Sequence, residues 1–540
     1  MGSGVDASTE HGASGGIPSV NIGTLLPRHA RYRPDHLAVV FEGDQLTFAQ
    51  LNRRVNRLSN ALLAAGLAKG DKIATVLPNC LEQIEAYWAA AKTGIVVVPM
   101  SPLLQESGLV SLLDDSDSEL VIASGAFAET LDRIRSRLPA IRADRWVLTD
   151  ESDVHFGSYA SFVADSSEDE PPDAGIADAD AYNIIYSSGT TGEPKGIIHT
   201  HYVRAGYCTM FASAFRMTPE SVCLHAGSIV FNGAFLDLMP AMYLGCTYIL
   251  HPAFDPERVI EEIERWRVTH TVMVPSQIVA LLNSPAFSPK RLESLEMFQS
   301  VGAPLHLGYK TRLNEALPGR FYELYGLTEG FMTVLDKLDA VRKAGSVGTP
   351  TGFYEMRILG EDGRELSAGQ IGEICGRGPL MMAGYHNRPD LTAKAIVDGW
   401  LHSGDLGYVD EDGYLFLVDR KKDMIISGGV NVYPRDIEEV AVQHPAVVEV
   451  AVFGAPDPRW GETPVAAVVL RDRSVGARDL VEWINTRVAA KFQRVGDVMV
   501  VDTFPRNVAG KTMKRVLQEQ YQNRCLAPSV ERSGTRPPST

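Results

Sequence analysis

The sequence lacks the features of several broad protein classes. Acidic side chains outnumber basic ones by 67 to 51, and the net charge of −16 argues against a general binder of nucleic acids or anionic membranes. The six cysteines form no C-x-x-C pair, which predicts reduced, mostly buried thiols in a cytoplasmic protein. No apolar run is long enough to span a bilayer, and the first residues lack the basic-then-apolar pattern of a signal peptide. We therefore expect a cytoplasmic protein with no membrane span and no nucleic-acid partner.

The 540 residues are too many for one hydrophobic core, and their patterning changes along the chain. From Leu37, short apolar strands alternate with helical periods, which is typical of a parallel α/β sheet. From about residue 345, alternating strands with frequent glycine turns predict a β-rich layer. A run of five charged residues then precedes a compact α+β unit. The predicted regions are a disordered tail (1–17), a large N-terminal domain (18–418) with a β-rich subdomain (about 345–418), a linker (419–423), a small C-terminal domain (424–522) and a second disordered tail (523–540).

Three local predictions concern the large domain. Residues 222–231 form an apolar run that could be one strand, and the acidic, proline-containing stretch 165–180 is most simply a solvated connector. Residues 256–268 have helical spacing, and Asp255 is placed to act as the N-cap of that helix.

The densest motif is the loop S-S-G-T-T-G-E-P-K-G at residues 187–196, directly after an apolar strand. Its glycines let the backbone approach a ligand closely, and its amides and hydroxyl groups can surround phosphate oxygens. The common P-loop spacing does not fit, because only two residues separate Gly189 from Gly192. A solvated turn is the alternative for this composition. The candidate phosphate-binding residues are Ser187, Ser188, Gly189, Thr190, Thr191, Gly192 and the positively charged Lys195.

This order of residues resembles the phosphate loop of the adenylate-forming superfamily, which comprises acyl- and aryl-CoA ligases, carrier-loading adenylation domains and beetle luciferases. The other motifs of that superfamily follow in the expected order between about Leu37 and Gln520. The resemblance implies an α/β fold whose large adenylation domain has layered sheets with helices and a β-rich subdomain. It also implies that residues 419–423 are a hinge and that the small α+β domain is a mobile lid.

A second motif, Y-G-L-T-E at residues 325–329, follows a predicted strand, where sheets of this kind bind ligands. Thr328 can donate a hydrogen bond to a phosphate, and Glu329 can hold a Mg²⁺ ion that bridges phosphates. The resemblance makes this the second nucleotide motif and makes residues 302–304 the adenine-side segment. Alone, each also fits an ordinary strand end or turn. The candidates are Tyr325, Gly326, Thr328, Glu329, Gly302, Ala303 and Pro304.

Charged residues near the linker are candidates for ribose binding and domain movement. Asp405 follows a predicted strand, and a carboxylate there can accept both ribose hydroxyl groups. The segment resembles the ribose-binding G-D motif of the superfamily, which would give Asp405 the partner Arg420. Lys422, two positions after that arginine, occupies the place of the superfamily's hinge residue. Each of these residues alone also fits a surface charge.

The C-terminal region resembles the superfamily in two further segments. Residues 427–434 resemble the segment that lines the pantetheine tunnel, although a β-turn before a helix is the alternative. Lys511 matches the lysine that contacts the substrate carboxylate and the α-phosphate, although the superfamily usually reads T-G-K where this chain has A-G-K. In isolation it fits a surface lysine. The candidate CoA-binding residues are Ser427, Gly428, Gly429 and, through charge and stacking, Arg459 and Trp460.

The acid substrate is expected beside these nucleotide motifs. Many acyl- and aryl-CoA ligases have a histidine after an aromatic residue here, whereas this chain has Phe231-Asn232. The neighbouring residues are mostly apolar, and no Lys or Arg for a second substrate charge is evident, nor an acidic residue for an α-amino group. We therefore predict an uncharged aryl or aliphatic acid. The predicted pocket residues are Phe231, Asn232, Phe235, Gly302, Gly326 and Phe331.

Two histidines after the glycine loop, His199 and His201, are possible catalytic bases. A carboxylic acid is already ionised at neutral pH and needs no base to attack a phosphate. We therefore interpret both histidines as structural.

The resemblance implies an ATP-dependent carboxylic acid–CoA ligase. The acid would attack the α-phosphate of Mg²⁺-bound ATP to give an acyl-adenylate and pyrophosphate, and CoA would then displace AMP. The glycine loop would hold the departing phosphates, Glu329 the metal ion, and Lys511 the charge that develops between carboxylate and phosphate. ATP, Mg²⁺ and CoA are thus the predicted cofactors and co-substrates, and the protein is expected to be a monomer or homodimer. One alternative acceptor is the phosphopantetheine of a carrier protein, and another possibility is a nucleotide-binding protein without catalysis.

Overall fold

The structure is a computed structural model that describes residues 19–150, 155–187, 195–472, 474–506 and 512–526. Most of the predicted phosphate loop (Ser188, Gly189, Thr190, Thr191 and Gly192) lies outside the described residues, and so does Lys511. Within the described ranges, no helix is long and apolar enough to cross a membrane.

Helices and strands alternate through most of the described chain. The α-helices are α1 (Leu25–Tyr32), α2 (Phe48–Ala64), α3 (Leu81–Thr93), α4 (Glu106–Asp115), α5 (Ala128–Ile134), α6 (Tyr159–Val163), α7 (His201–Ala214), α8 (Phe235–Leu244), α9 (Pro256–Trp266), α10 (Pro275–Asn283), α11 (Leu307–Ala316), α12 (Pro389–Ala395), α13 (Pro434–Ala441), α14 (Ala477–Asn485) and α15 (Lys514–Leu526). The strands are β1 (Leu37–Phe41), β2 (Asp44–Thr47), β3 (Lys72–Val76), β4 (Val96–Pro99), β5 (Ser118–Ala123), β6 (Trp146–Leu148), β7 (Gly157–Ser158), β8 (Ala181–Ser187), β9 (Lys195–Thr200), β10 (Val222–His225), β11 (Thr247–Leu250), β12 (His270–Met273), β13 (Met297–Val301), β14 (Phe321–Gly326), β15 (Met332–Leu335), β16 (Thr349–Pro350), β17 (Glu355–Leu359), β18 (Gly372–Arg377), β19 (Gly384–Tyr385), β20 (Ile396–Val397), β21 (Trp400–Val409), β22 (Leu415–Arg420), β23 (Ile425–Ser427), β24 (Val430–Val432), β25 (Val447–Asp457), β26 (Gly461–Leu470) and β27 (Asp497–Val501).

Two large mixed sheets form the N-terminal domain. One has nine strands in the order β16-β15-β14-β13-β12-β10-β11-β1-β2, and the other has eight in the order β19-β9-β8-β4-β3-β5-β6-β7. Pairing is parallel from β14 to β1 in the first and from β8 to β7 in the second. Helices α2, α3, α7 and α8 contribute to one apolar core with strands of both sheets. Crossover helices explain the parallel pairing, because parallel neighbours require long connections.

Two smaller sheets complete the fold. An antiparallel sheet in the order β17-β18-β21-β20, with β22 paired to β21, forms the β-rich layer that the glycine turns predict. The C-terminal sheet has the order β24-β23-β26-β25, with β27 parallel to β26, and apolar clusters that include residues of α13, α14 and α15. The predicted α/β class, with a large multi-sheet domain and a small α+β domain, is confirmed.

Two predicted element boundaries are wrong and one is right. Residues 222–231 are not one strand: β10 ends at His225, where its pairing with β11 and β12 ends. The charged linker is shorter than predicted, because Asp419 and Arg420 belong to β22 and pair with β21, so residues 421–424 connect β22 to β23. Asp255 does cap α9, since its Oδ1 accepts a 2.8 Å hydrogen bond from the Arg258 amide.

The connector at residues 165–180 is not simply solvated. Glu170 accepts hydrogen bonds of 2.6 Å from both the Lys92 Nζ and the Asn52 Nδ2. The Lys92 side chain is only 3% exposed, so this carboxylate provides the partner that a buried ammonium group requires. The acidic composition of the segment therefore serves packing as well as solubility.

Candidate active site

Two predicted nucleotide segments lie side by side at one edge of the nine-stranded sheet. Strands β13 and β14 are parallel neighbours, so the residues that follow them share the carboxyl edge. Gly302, Ala303 and Pro304 are exposed there, and Gly302 has a φ of +93°, which glycine adopts without strain. Tyr325 and Gly326 end β14 at the same edge. Open parallel sheets bind ligands at this edge.

A three-residue junction connects this edge with the β-rich sheet. The Tyr325 hydroxyl group donates a 2.8 Å hydrogen bond to Oδ2 of Asp405. Asp405 on β21 lies opposite Arg420 on β22, and the arginine Nε is 3.4 Å from the aspartate Oδ1. Desolvation, and then the Asp405 charge, raise the pKa of Tyr325 well above its usual value, so the phenol stays protonated and can donate. The predicted ribose pair is thus brought together, with Tyr325 as an additional partner.

Glu329 belongs to a second group, next to the described end of the glycine loop. Its Oε1 accepts a 2.7 Å hydrogen bond from the Tyr385 hydroxyl group. Lys195 Nζ lies 5.5 Å from the centroid of the same Tyr385 ring. Ser187, the last residue of β8, pairs with Lys195, the first residue of β9. One tyrosine ring therefore connects the predicted metal ligand with the predicted phosphate-binding lysine.

The oxygen atoms of this group fit a magnesium ion. Mg²⁺ prefers oxygen ligands and is usually held by one or two carboxylates while substrate phosphates and water complete its octahedron. The Tyr385 hydrogen bond is to Oε1 of Glu329, so Oε2 of Glu329 and the neighbouring Thr328 hydroxyl group are the candidate ligand oxygens. A single carboxylate with a hydroxyl neighbour suffices when ATP supplies the other oxygens.

Arg204 on α7 is fully buried beside two residues predicted to line the acid pocket. Its Nη1 donates a 2.9 Å hydrogen bond to Oδ1 of Asn232, and its guanidinium carbon lies 3.9 Å from the centroid of the Phe235 ring. Its Nε donates to Oδ1 of Asn183 at 3.1 Å. No Asp or Glu of the described chain forms an ion pair with it, and burial lowers the pKa of the guanidinium group. The absence of a Lys or Arg for a second substrate charge stays a prediction, but α7 turns one arginine, Arg204, inward beside the predicted acid pocket.

His199 connects Arg204 with the Y-G-L-T-E segment. Its Nε2 lies 2.8 Å from the Thr328 carbonyl oxygen, which can only accept, so the proton is on Nε2. Its Nδ1 then accepts a 3.2 Å hydrogen bond from Arg204 Nη2. Burial, and then the Arg204 charge, lower the pKa of His199 well below its usual value, so the ring is neutral. Both nitrogens are occupied, which agrees with a structural histidine rather than a catalytic base.

His201 has a different environment with the same consequence. Burial lowers its pKa to about 4, and its ring contacts Tyr182 edge-on at a centroid distance of 5.7 Å. It is neutral at pH 7 and is packed at the start of α7, as the structural interpretation predicts.

The other predicted acid-pocket residues lie around the end of β13. A Cβ atom added to Gly233, the neighbour of Asn232, would lie 3.9 Å from Val301 at the end of that strand. Phe231 is partly buried and Phe235 is fully buried. Phe331 is also fully buried, with its ring against Tyr354 and directly over Gly376 of the β-rich sheet.

The predicted CoA-binding residues form one group on the small domain. Gly428 and Gly429, both with positive φ, form the turn between β23 and β24, and the Gly428 amide donates to the Trp460 carbonyl oxygen at 2.7 Å. Ser427 pairs with Gly461, and the Arg459 guanidinium group lies 4.6 Å from the Trp460 ring centroid. Within the described ranges, no hydrogen bond or ion pair joins this group to Thr328 or Glu329.

Lys422 lies in the short connection between β22 and β23 and is exposed. Partial desolvation, more than any nearby charge, lowers the pKa of its ammonium group. The domains also meet through Glu439 of α13, whose carboxylate accepts a hydrogen bond from the Leu307 amide and lies 3.2 Å from His306 Nδ1.

Comparison with known proteins identifies the family of this site. Residues 26–386 match the family described as AMP-binding enzyme, and residues 436–511 match the AMP-binding enzyme C-terminal domain. The chain is an adenylate-forming enzyme of the AMP-binding family. It is 36% identical over 506 residues to a feruloyl-CoA synthase from Amycolatopsis sp, covering 93% of this chain and 99% of that protein.

Other relatives place the enzyme among the acid–CoA ligases. It is 35% identical over 510 residues to the long-chain-fatty-acid–CoA ligase FadD13 of Mycobacterium tuberculosis, covering 93% of this chain and 98% of the relative. The solved structure of ATP-bound MatB from Rhodopseudomonas palustris superposes with a TM-score of 0.85 at 30% identity, covering 93% of this chain and 99% of the other. The superfamily, the fold class and the AMP-forming ligase class predicted from the motifs are thereby confirmed.

Two residues of the enzyme's candidate site escape sequence reasoning. Arg204 precedes the buried residues Tyr207, Cys208 and Phe211 of α7 by three, four and seven positions, so helical periodicity was a signal that could have placed it on the buried face. Tyr385 lies far along the chain in a two-residue strand, so only the pairing of β19 with β9 brings it to Lys195.

Proposed function

We propose that this enzyme is an ATP-dependent carboxylic acid–CoA ligase that forms an acyl-adenylate and then an acyl-CoA thioester. The observation that carries the proposal is the convergence of two polar groups at the carboxyl end of β14. The junction of Tyr325, Asp405 and Arg420 suits a ribose, and Glu329 with Lys195 suits a phosphate chain. The ATP complex of the solved relative supports this assignment.

In the first half-reaction, a carboxylate oxygen of the acid attacks the α-phosphorus of ATP and the bond to pyrophosphate breaks. The carboxylate of Asp405 accepts the ribose hydroxyl groups, and Lys195 with the glycine loop holds the departing phosphates. Glu329 would hold a Mg²⁺ ion, which would supply positive charge to those phosphates. Lys511 approaches the carboxylate and the α-phosphate and stabilises the charge between them. Such catalysis consists mostly of positioning and electrostatics.

In the second half-reaction, the CoA thiolate attacks the carbonyl carbon of the adenylate and AMP leaves. The resemblance to the superfamily implies a rotation of the small domain, which would bring Ser427, Gly428 and Gly429 to the adenylate for this step. The short connection that contains Lys422 is the proposed hinge. Arg459 and Trp460 are proposed to bind a CoA phosphate and to stack with its adenine.

The acid is proposed to be an uncharged aryl or aliphatic carboxylic acid. Phe231 and Phe235 supply apolar surface, and the feruloyl-CoA and fatty-acid–CoA ligases among the relatives act on acids of these two kinds by name. We assign the charge of Arg204 to the reacting carboxylate and not to a second charged group, because its network reaches both Asn232 and, through His199, the Thr328 carbonyl group.

The test is product analysis of the purified protein with Mg²⁺, ATP, CoA and a panel of aryl, arylalkanoic and aliphatic acids. Acyl-CoA with AMP supports the proposal and names the acid. Adenylate and AMP without acyl-CoA would favour the alternative, in which the acyl group passes to the phosphopantetheine of a carrier protein. Neither product with any acid of the panel would contradict both.

A further inference from the structure

A cysteine, a histidine and a glutamate meet on one face of the β-rich sheet, outside the groups assigned above. Glu373 and Cys375 are two positions apart on β18, so their side chains point to the same face. His402 on β21 is the direct cross-strand partner of Cys375. The three side chains offer a sulfur, a nitrogen and an oxygen ligand atom that all lie within 4.8 Å of one another.

The distances within this triad match those of tetrahedral zinc coordination. Zinc bonds of roughly 2.0–2.3 Å to nitrogen, oxygen and sulfur place neighbouring ligand atoms about 3.4–3.6 Å apart. The His402 Nδ1 lies 3.4 Å from the Cys375 Sγ and 3.6 Å from the Glu373 Oε1. Two edges of the tetrahedron are therefore formed already, and rotation of the Glu373 side chain can close the third.

The triad is accessible, and its ligand atoms suit a cation of intermediate softness. The side chains of His402 and Glu373 are 31% and 18% exposed, whereas Cys375 is buried behind them. Thiolate, imidazole and carboxylate together favour Zn²⁺ over Mg²⁺ or Ca²⁺, which prefer oxygen ligands alone. With three protein ligands, the fourth position is left to water.

We propose that Glu373, Cys375 and His402 form a binding site for Zn²⁺ or a similar divalent transition metal. A second group limits the affinity of the site, because Lys421 Nζ lies 3.4 Å from Oε2 of Glu373 and is the carboxylate's present cationic partner. Zinc is bound by the thiolate, so metal binding releases the Cys375 proton.

Occupancy also affects the hinge, a consequence that rests on the proposed function. Lys421 directly precedes Lys422, and the Lys421 amide donates to the Gly404 carbonyl oxygen at 3.1 Å. A cation on Glu373 repels Lys421 and displaces it from the carboxylate. Because the small domain must rotate about this connection for thioester formation, zinc slows the second half-reaction more than the first.

The binding test uses Co²⁺ as a spectroscopic probe with the reduced, full-length protein. We expect the wild type to bind Co²⁺ with thiolate-to-cobalt charge-transfer absorption and tetrahedral ligand-field bands, which Zn²⁺ abolishes by competition. Cys375→Ser removes the charge-transfer band, and His402→Asn weakens binding at least about 10-fold, since losing a ligand costs no less than losing its supporting partner. Lys421→Met removes the competing cation and strengthens binding about 2- to 5-fold.

Cys525→Ser is the matched control, because Cys525 is an exposed cysteine in a different region. It should leave the spectrum unchanged. A charge-transfer band that survives Cys375→Ser, or one that disappears with Cys525→Ser, overturns the site, and so does the absence of any saturable thiolate band. His402→Asn alters a partly exposed side chain, so it keeps the test decisive if Cys375→Ser fails to fold.

The kinetic consequence is tested separately. Pyrophosphate release and thioester formation are measured with and without Zn²⁺ in the wild type and in Cys375→Ser. Chelation of zinc by the CoA thiol affects both proteins equally, so only slowing that is specific to the wild type supports the proposal. Equal slowing in both proteins overturns the hinge effect. An enzyme that makes no thioester at all contradicts the proposed function, whereas the cobalt spectrum still decides the metal site.

Discussion

Two buried cations of the large domain differ in what faces them. The side chains of Lys310 and Glu323 are 1% and 2% exposed, and their charged groups are in direct contact. Arg204 is equally buried, but its hydrogen-bond partners are two amide oxygens and an imidazole nitrogen, all neutral. The ammonium group of Lys310 is neutralised within the fold, whereas the guanidinium group of Arg204 is only solvated by dipoles.

This difference separates a structural charge from a functional one. A buried charge without an opposite partner raises the free energy of the empty protein, and an anion that binds nearby recovers part of that energy. Lys310 has its carboxylate already and gains nothing from a ligand. Arg204 lies beside the predicted acid pocket, so we propose that its charge favours binding of the substrate carboxylate.

Lys310→Met should produce the largest loss of stability. It leaves Glu323 buried without a cation, which typically costs about 3–5 kcal/mol. The measurement is denaturant-induced unfolding followed by tryptophan fluorescence. The double variant Lys310→Met/Glu323→Leu is the control, and it should recover most of the loss because an apolar pair replaces the ion pair. Equal destabilisation by the single and double variants would contradict the role assigned to the pair.

Arg204→Met should damage chemistry more than stability. It removes the positive charge that we propose attracts the substrate carboxylate. A charge-assisted interaction is worth about 1.5–3 kcal/mol, so adenylation measured by ATP–pyrophosphate exchange should fall roughly 10- to 100-fold. Its effect on unfolding should be smaller than that of Lys310→Met, because removal of an uncompensated charge offsets the lost bonds. Arg204→Lys should restore part of the activity. If Arg204→Met had a normal rate of ATP–pyrophosphate exchange but low stability, Arg204 would have a structural role like that of Lys310.

Asn232→Asp tests whether Arg204 behaves like Lys310 once it has a carboxylate partner. The substitution gives Arg204 a carboxylate partner at the position of the 2.9 Å hydrogen bond and so creates an ion pair like that of Lys310. We expect unchanged or higher stability, and an increase of about 10-fold in the KM for the acid, which corresponds to about 1.4 kcal/mol of lost attraction. Asn232→Ser, which is neutral, is the control. An unaltered KM in the aspartate variant would show that the Arg204 charge does not act on the acid.

Some features of the fold and site could be predicted from the sequence, and others could not. The motif order predicted the family, and the alternation of strand and helix predicted the sheets, because both depend on local patterns. Asp405 and Arg420 were predicted as partners and do lie opposite each other. The resemblance to the superfamily supplied this pairing, and in the fold the two residues lie at the end of β21 and β22 that is farther from their connecting turn.

The partners of Arg204 were not readable in the same way. The buried residues of α7 follow one face that includes Arg204, so helical periodicity places the arginine inward but does not specify what it contacts. Its partners His199 and Asn232 lie on β9 and in the turn before α8, and the fold brings Asn232 to the arginine from 28 positions along the chain. The partner that meets a buried polar group is a tertiary property that no single-sequence pattern encodes.

The smallest predicted effect is a pH dependence of stability that comes from the Arg204 network. Burial, and then the Arg204 charge, lower the pKa of His199 in the folded enzyme, whereas the unfolded chain has an ordinary histidine pKa near 6.5. The unfolded state therefore binds more protons below that pH, so stability is lost as the pH falls from about 6.5 towards the folded-state pKa. One such histidine contributes a slope of up to about 1.4 kcal/mol per pH unit.

His199→Gln should reduce that slope, because glutamine can still bond the Thr328 carbonyl group and Arg204 but does not titrate. Unfolding free energies between pH 7 and 5 measure the change. His251→Gln is the matched control: burial also lowers the pKa of His251 to about 4, so its replacement should reduce the slope similarly, yet it should leave adenylation unchanged. If His199→Gln left the slope as it is in the wild type, His199 would bind its proton at the same pH in the folded and unfolded states. The imidazole beside Arg204 would then not be held neutral by the fold.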